Sequence, residues 1–131
     1  MKKASVKVKK VLIVEDEPSV SRILVDELVR EGFWVFEARN GEEGLGIALI
    51  EHPDLILLDI LMPKKDGLRM LNELRKDGWG RNASVIILTN LNDPPRVSEA
   101  LKNGVCDFLV KSECRLENVL DRVKAKLPSP L

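Results

Sequence analysis

Short apolar runs alternate with stretches of helical period five times along the chain. Val11–Val14, Leu55–Leu58 and Val85–Leu88 are unbroken apolar tetrads with no polar residue between. Runs of that kind are strands covered on both faces, as in a parallel sheet. Phe33–Ala38 alternates more and reads as a strand at the sheet edge, and Asp107–Val110 reads as the last strand. Between them the apolar spacing becomes helical. Val20, Ile23, Leu24 and Leu28 follow Pro18, a residue suited to a first helical turn. Leu45, Ala48 and Leu49 share a face after Asn40-Gly41, and Leu68, Met70, Leu71 and Leu74 form a third helical stripe. Asp93-Pro94 opens a fourth helix ending near Asn103, and Leu116, Val119, Leu120 and Val123 mark a fifth over about residues 115–127. Gly32, Pro53, Gly104 and Pro128-Ser129-Pro130 are stops, and Gly78-Trp79-Gly80 predicts a flexible loop.

A β-α unit repeated five times, with short right-handed connections, predicts a doubly wound (βα)5 three-layer sandwich. The expected parallel order is 2-1-3-4-5, with a ligand crevice where the first and third strands part. The 131 residues suit one domain, expected over 8–127, with a basic tail at 1–7 and a short tail at 128–131. Lys+Arg and Asp+Glu both number 21, so no charge excess points to nucleic acid or an acidic membrane. Aromatic residues are 4% with no Tyr, which argues against a stacking platform for single strands. No apolar run approaches a membrane span, and the basic start lacks the apolar segment of a secretory signal. Cys106 and Cys114 fit no paired motif, so reduced thiols and a cytoplasmic setting are expected.

The chemistry gathers at strand ends. Four of the five strands finish on polar groups: Glu15-Asp16, Asp59, Thr89 and Lys111. The topology brings all of them to one edge. At about 4 Å and an effective dielectric near 20, each like-charged carboxylate pair costs on the order of 4 kcal/mol. Lys111 offsets part of that repulsion, and a divalent cation would offset the rest. Oxygen ligands without His or Cys favour a hard ion, Mg²⁺, which binds through few carboxylates plus water and phosphate oxygens. Such a site suits a phosphoryl group, steadied by the Lys111 ammonium and Thr89 hydroxyl and accepted by a carboxylate.

Four segments, VLIVEDEP (11–18), PDLILLDILMPKKDG (53–67), ILTN (87–90) and GVCDFLVKS (104–112), carry a resemblance. In that order and spacing they resemble the receiver domain of bacterial two-component response regulators, of the stand-alone chemotaxis type, with its flavodoxin-like fold. The resemblance implies that Asp59 is the phospho-acceptor. It implies that Glu15 and Asp16 hold Mg²⁺, with Asp16, Asp59 and the Leu61 backbone carbonyl as direct ligands. Lys111 and Thr89 would bind the phosphoryl oxygens, and Thr89 with Phe108 would form the switch. A histidine kinase or phosphotransfer protein would dock near Ser19, Val20 and Ile23. A downstream protein would read the last two helices and last strand, including Val97, Leu101, Phe108 and Val110. A monomer is expected, with dimerisation on phosphorylation left open.

Some positions depart from the family pattern. Ser112 follows Lys111 where receivers usually have Pro, and Asn90 replaces a small residue. Leu61 and Leu91 stand where polar groups often assist water, so slow loss of the phosphoryl group is expected. Two other functions compete. A Mg²⁺-dependent phosphatase of the haloacid dehalogenase type needs a second Asp two residues after the nucleophile, and Leu61 is there instead. An adaptor that works without phosphorylation is disfavoured by the intact polar set. His52, the single histidine, sits before Pro53 at a helix end, away from the acidic edge.

Overall fold

The computed structural model describes residues 8–60, 67–89, 94–105, 107–110 and 116–127, with backbone alone for Thr89, Arg96, Asp107, Phe108, Val110 and Leu116. The strands are β1 (Lys10–Val14), β2 (Trp34–Ala38), β3 (Leu55–Asp59), β4 (Val85–Thr89) and β5 (Asp107–Val110). The helices are α1 (Pro18–Arg30), α2 (Gly41–Glu51), α3 (Gly67–Leu74), α4 (Pro94–Lys102) and α5 (Leu116–Lys126). All strands are parallel in the order β2-β1-β3-β4-β5, the doubly wound order expected. No described helix is long and apolar enough to cross a membrane.

The unbroken tetrads have a direct cause. Leu12, Val14, Ile56, Leu58, Val85 and Ile87 face one core, which α2, α3 and α4 close with Ala48, Met70, Leu71, Leu74, Val97 and Ala100. Val11, Ile13, Leu55, Leu57, Ile86 and Leu88 face the other, closed by Leu24 and Leu28 of α1 and by Val119 and Val123 of α5. Both faces are dry, so neither parity of position has room for a polar residue. Each fully buried Leu or Ile contributes about 1.5–3 kcal/mol relative to exposure. β2 lies at one edge of the sheet, and its burial is lower, with Trp34 and Glu37 exposed.

Helix ends follow the sequence signals. Pro18 occupies the first turn of α1, and Gly32 takes φ 96° just beyond its end. Asn40 caps α2 by accepting from the Glu43 N–H at 2.8 Å. Gly104 takes φ 73° after α4.

Several expectations need correction. Leu49 is 38% exposed and lies off the buried face of α2, which Gly41, Gly44 and Ala48 make instead. α2 stops before Pro53 as expected, but the cap is His52, which follows the last helical residue Glu51, takes the left-handed conformation (φ 48°) and donates its N–H to the Ala48 carbonyl. The stretch at Gly78–Gly80 is a fastened turn. The Asp77 carboxylate accepts from the N–H groups of Trp79 and Gly80, a 3-10 turn spans Gly80–Asn82, and Arg75 donates to the carbonyls of Gly80 and Ala83. Gly and Trp suggested looseness because the side chain that holds the loop lies outside the motif.

Candidate acidic site at the strand ends

Register assembles the site. Val14 pairs with Leu58, so Glu15 and Asp16 leave β1 beside Asp59, the last residue of β3. Asp59 pairs with Leu88 and Thr89 with Val110, so the ends of β3, β4 and β5 run side by side. Lys111 is the next residue after Val110 and lies, with Leu61, Asn90, Leu91 and Ser112, outside the described residues. For Thr89 and Phe108 the backbone supports the expected positions, at the end of β4 and within β5.

Glu15 is held from both sides. Its N–H donates to the Ala38 carbonyl at 3.0 Å, extending the β1–β2 ladder by one bond, and its Oε2 accepts from the Glu17 N–H at 3.2 Å. Glu15 and Asp59 are 1% and 3% exposed, while Asp16 is half-buried. One carboxylate oxygen of each of the three lies within 4.8 Å of the others. At that separation and an effective dielectric near 20, each pair repels by about 3.5 kcal/mol. Two of the three charges have almost no contact with solvent to relieve it. Oxygen donors at this spacing fit a hard divalent cation.

Gly67 lets the first residue of α3 lie directly against the end of β3. A Cβ there would meet the Asp59 carbonyl oxygen and approach the Ile60 Cα to 2.7 Å, so only glycine fits without moving the carboxylate-bearing strand end.

The candidate partner residues divide. Ser19 and Ile23 are exposed on α1, Ile23 at 52%, whereas Val20 is half-buried against the α1–α5 core. Leu101 is 45% exposed on α4. Val97 does not belong to a surface: it is 7% exposed and packs in the core beneath α4. Helical period alone could not say which way α4 is rotated. The Val110 side chain lies outside the described set.

Three features went unforeseen. Ser21, 1% exposed on α1, donates its hydroxyl to the Glu37 carboxylate of β2 and ties that helix to the sheet edge. His52 stacks on Trp79, ring centroids 4.4 Å apart and planes 9° from parallel. Arg75 gathers backbone carbonyls from two loops. Each joins residues distant in sequence, and no local pattern announces them.

An open α/β domain with a carboxylate cluster at its β1–β3 switch point is the form of a phosphoryl-accepting signalling domain. The chain matches the response regulator receiver domain over residues 11–124 and belongs to that family, the phospho-acceptor switches of two-component signalling. Receiver domains bind Mg²⁺ at an acidic pocket, and Glu15, Asp16 and Asp59 form an acidic cluster here. Among relatives, a probable transcriptional regulator ycf27 of Porphyridium aerugineum is 40% identical over 120 residues, covering 87% of this chain and 49% of its own. The chain thus spans about half the length of that relative. Among solved structures, the chemotaxis protein CheY4 of Vibrio cholerae superposes with a TM-score of 0.83 at 26% identity, covering 92% of this chain and all of that one. The signal receiver domain of a histidine kinase from Syntrophus aciditrophicus gives 0.81 at 35% identity, over 92% and 90%.

Proposed function

We propose that Asp59 accepts a phosphoryl group from the phosphohistidine of a histidine kinase or phosphotransfer protein, or from a small acyl phosphate, in a Mg²⁺-dependent reaction. The observation that carries this reading is the cluster of three carboxylates within 4.8 Å, two of them almost fully buried. A carboxylate oxygen of Asp59 attacks phosphorus, the donor's P–N or P–O bond breaks with its electron pair leaving on the donor, and an aspartyl phosphate forms. Glu15, Asp16, Asp59 and the Leu61 carbonyl would hold Mg²⁺, which when bound would supply charge neutralisation for the phosphoryl oxygens. Lys111 adds a second positive charge to them, and Thr89 a hydrogen bond. The product carries about two negative charges beside Lys111 and Thr89, enough to bias Thr89 and Phe108 between two arrangements.

This is a self-modifying switch rather than a turnover enzyme, because Leu61 offers no acid/base group to hydrolyse the intermediate. Ser19 and Ile23 on α1 form the surface for the phosphodonor protein, and Leu101 with β5 and α5 the surface for a downstream protein. Domain limits of 8–127 and a cytoplasmic setting fit this role. The relatives named transcriptional regulators favour a second reading, in which the same switch governs DNA binding by a larger protein. The domain itself, with its balanced charge, makes no direct nucleic-acid contact in either reading. Incubation with acetyl phosphate and Mg²⁺ adds the mass of one phosphoryl group, and EDTA or Asp59→Asn abolishes the gain. An unchanged mass in the native chain overturns the reading, and a gain that survives Asp59→Asn reassigns the acceptor.

A further inference from the structure

Arg75 lies one residue beyond α3 and holds two separate loops at once. Its Nε–H donates to the Asn103 carbonyl at 2.7 Å, and Nη2 to the Gly104 carbonyl at 3.1 Å. Nη1 donates to the carbonyls of Gly80 and Ala83 at 2.7 and 2.8 Å. One edge of the guanidinium therefore grips the end of α4, and the other the turn that leads into β4. Asn103 is fastened further, its Nδ2 donating to Asn72 Oδ1 at 2.8 Å and to the Glu99 carbonyl at 3.0 Å. Asn72 in turn donates to the Glu99 carboxylate at 3.1 Å.

Asn103 and Gly104 directly follow Lys102, the last residue of α4, so a cation on their carbonyls sits at the negative end of the helix dipole and complements it. A planar guanidinium fork reaches both loops in a fixed geometry that a lysine ammonium cannot copy. The clamp lies where β4 begins, whereas the acidic site lies where β4 ends, at Thr89. α4 has nine residues, about 13 Å of helix, and runs between these two ends.

We infer that Arg75 is a positioning residue for the switch: it pins the C-terminal end of α4, so that phosphorylation tilts α4 about Asn103 instead of sliding the whole helix. Displacement then grows with distance from the clamp. The exposed Pro94–Pro95 end becomes the phosphorylation-sensitive part of the surface. Leu101, two residues from Asn103 and 45% exposed, becomes a landing point that stays in place in both states. This inference rests on the phosphoryl-acceptor reading above.

The test uses amide shifts of the full chain with Mg²⁺ and beryllofluoride, a tetrahedral stand-in for the phosphoryl group, alongside the acetyl phosphate mass gain. In the native chain the shifts at Arg96–Glu99 are at least threefold larger than those at Leu101–Gly104. In Arg75→Gln the ratio falls toward one while the mass gain persists. Arg75→Lys behaves like Arg75→Gln, and it supplies the same measurement if the glutamine variant does not fold. Equal shifts at both ends of native α4, or a steep ratio retained in the folded variant, overturns the inference and leaves Asp59 as acceptor. A chain that gains no mass overturns both.

Discussion

Replacing Asp16 by Asn makes the chain more stable without metal and less responsive to Mg²⁺. Asp16 is the half-buried member of the cluster and makes no hydrogen bond or ion pair with another described residue, so the substitution breaks no described contact. It removes two of the three repulsive pairs. Taken at the full 4.8 Å these amount to about 7 kcal/mol together at an effective dielectric near 20, before screening. Solvent at Asp16 and mobile counterions screen much of it, and an exposed ion pair is worth about 0–1 kcal/mol in comparable settings. The expected net gain is therefore about 1–2 kcal/mol, or about 2–8 °C in Tm for a chain of this length.

Thermal unfolding followed by circular dichroism in EDTA, then across a Mg²⁺ titration, measures both effects. Mg²⁺ at one hundred times its Kd stabilises the native chain by about 2.7 kcal/mol. Asp16→Asn, lacking one ligand and one charge, gains well under half of that at the same concentration. Raising KCl to 0.5 M narrows the gap between the two proteins in EDTA, because the gap is electrostatic. If Asp16→Asn is no more stable than the native chain in EDTA, or if Mg²⁺ lifts both equally, the crowded-carboxylate account fails. Tryptophan fluorescence is the wrong probe: Trp34 opens β2 and Trp79 precedes β4, so both lie at the end of the sheet opposite Asp59.

Four further outcomes are expected. Leu57→Ala empties a fully buried position between α1, α5 and the sheet and costs about 2–5 kcal/mol in urea unfolding. Gly67→Ala costs about 1–3 kcal/mol by overpacking against the Asp59 carbonyl, and it slows acetyl phosphate labelling because the acceptor strand end must shift. His52→Val loses about 1–2 kcal/mol, since a β-branched residue strains at φ 48°, whereas His52→Gly stays within about 0.5 kcal/mol as relieved backbone offsets the lost Trp79 stacking. Leu61→Asn shortens the life of the aspartyl phosphate, followed by loss of the mass gain after donor removal; an unchanged lifetime refutes water exclusion by Leu61.

What was legible in the chain was its punctuation. The tetrads at Val11, Leu55 and Val85 read as doubly covered strands, and all three are fully buried save Leu88 at 3%. The β5 limits, Asp107–Val110, match the expectation residue for residue, and α2 starts at Asn40-Gly41 as expected. Glu15, Asp16 and Asp59 were found because charged residues at the ends of apolar strands stand out in one dimension. Val97 and Leu49 were misplaced because an apolar residue on a short helix fits several rotations about the helix axis. Arg75 was missed for a different reason. An arginine after a helix is ordinary, and its carbonyl partners carry no side-chain identity for a sequence to display.

The sequence alone determined the number of elements, their order, and hence which strand ends would share an edge, because burial on both faces and right-handed crossover leave few alternatives. Only the tertiary structure decided how close the carboxylates come, which way α4 and α2 face, and which loops Arg75 joins. Those depend on register and helix rotation, quantities set by long-range packing that vary by an ångström or a few tens of degrees without changing any local pattern.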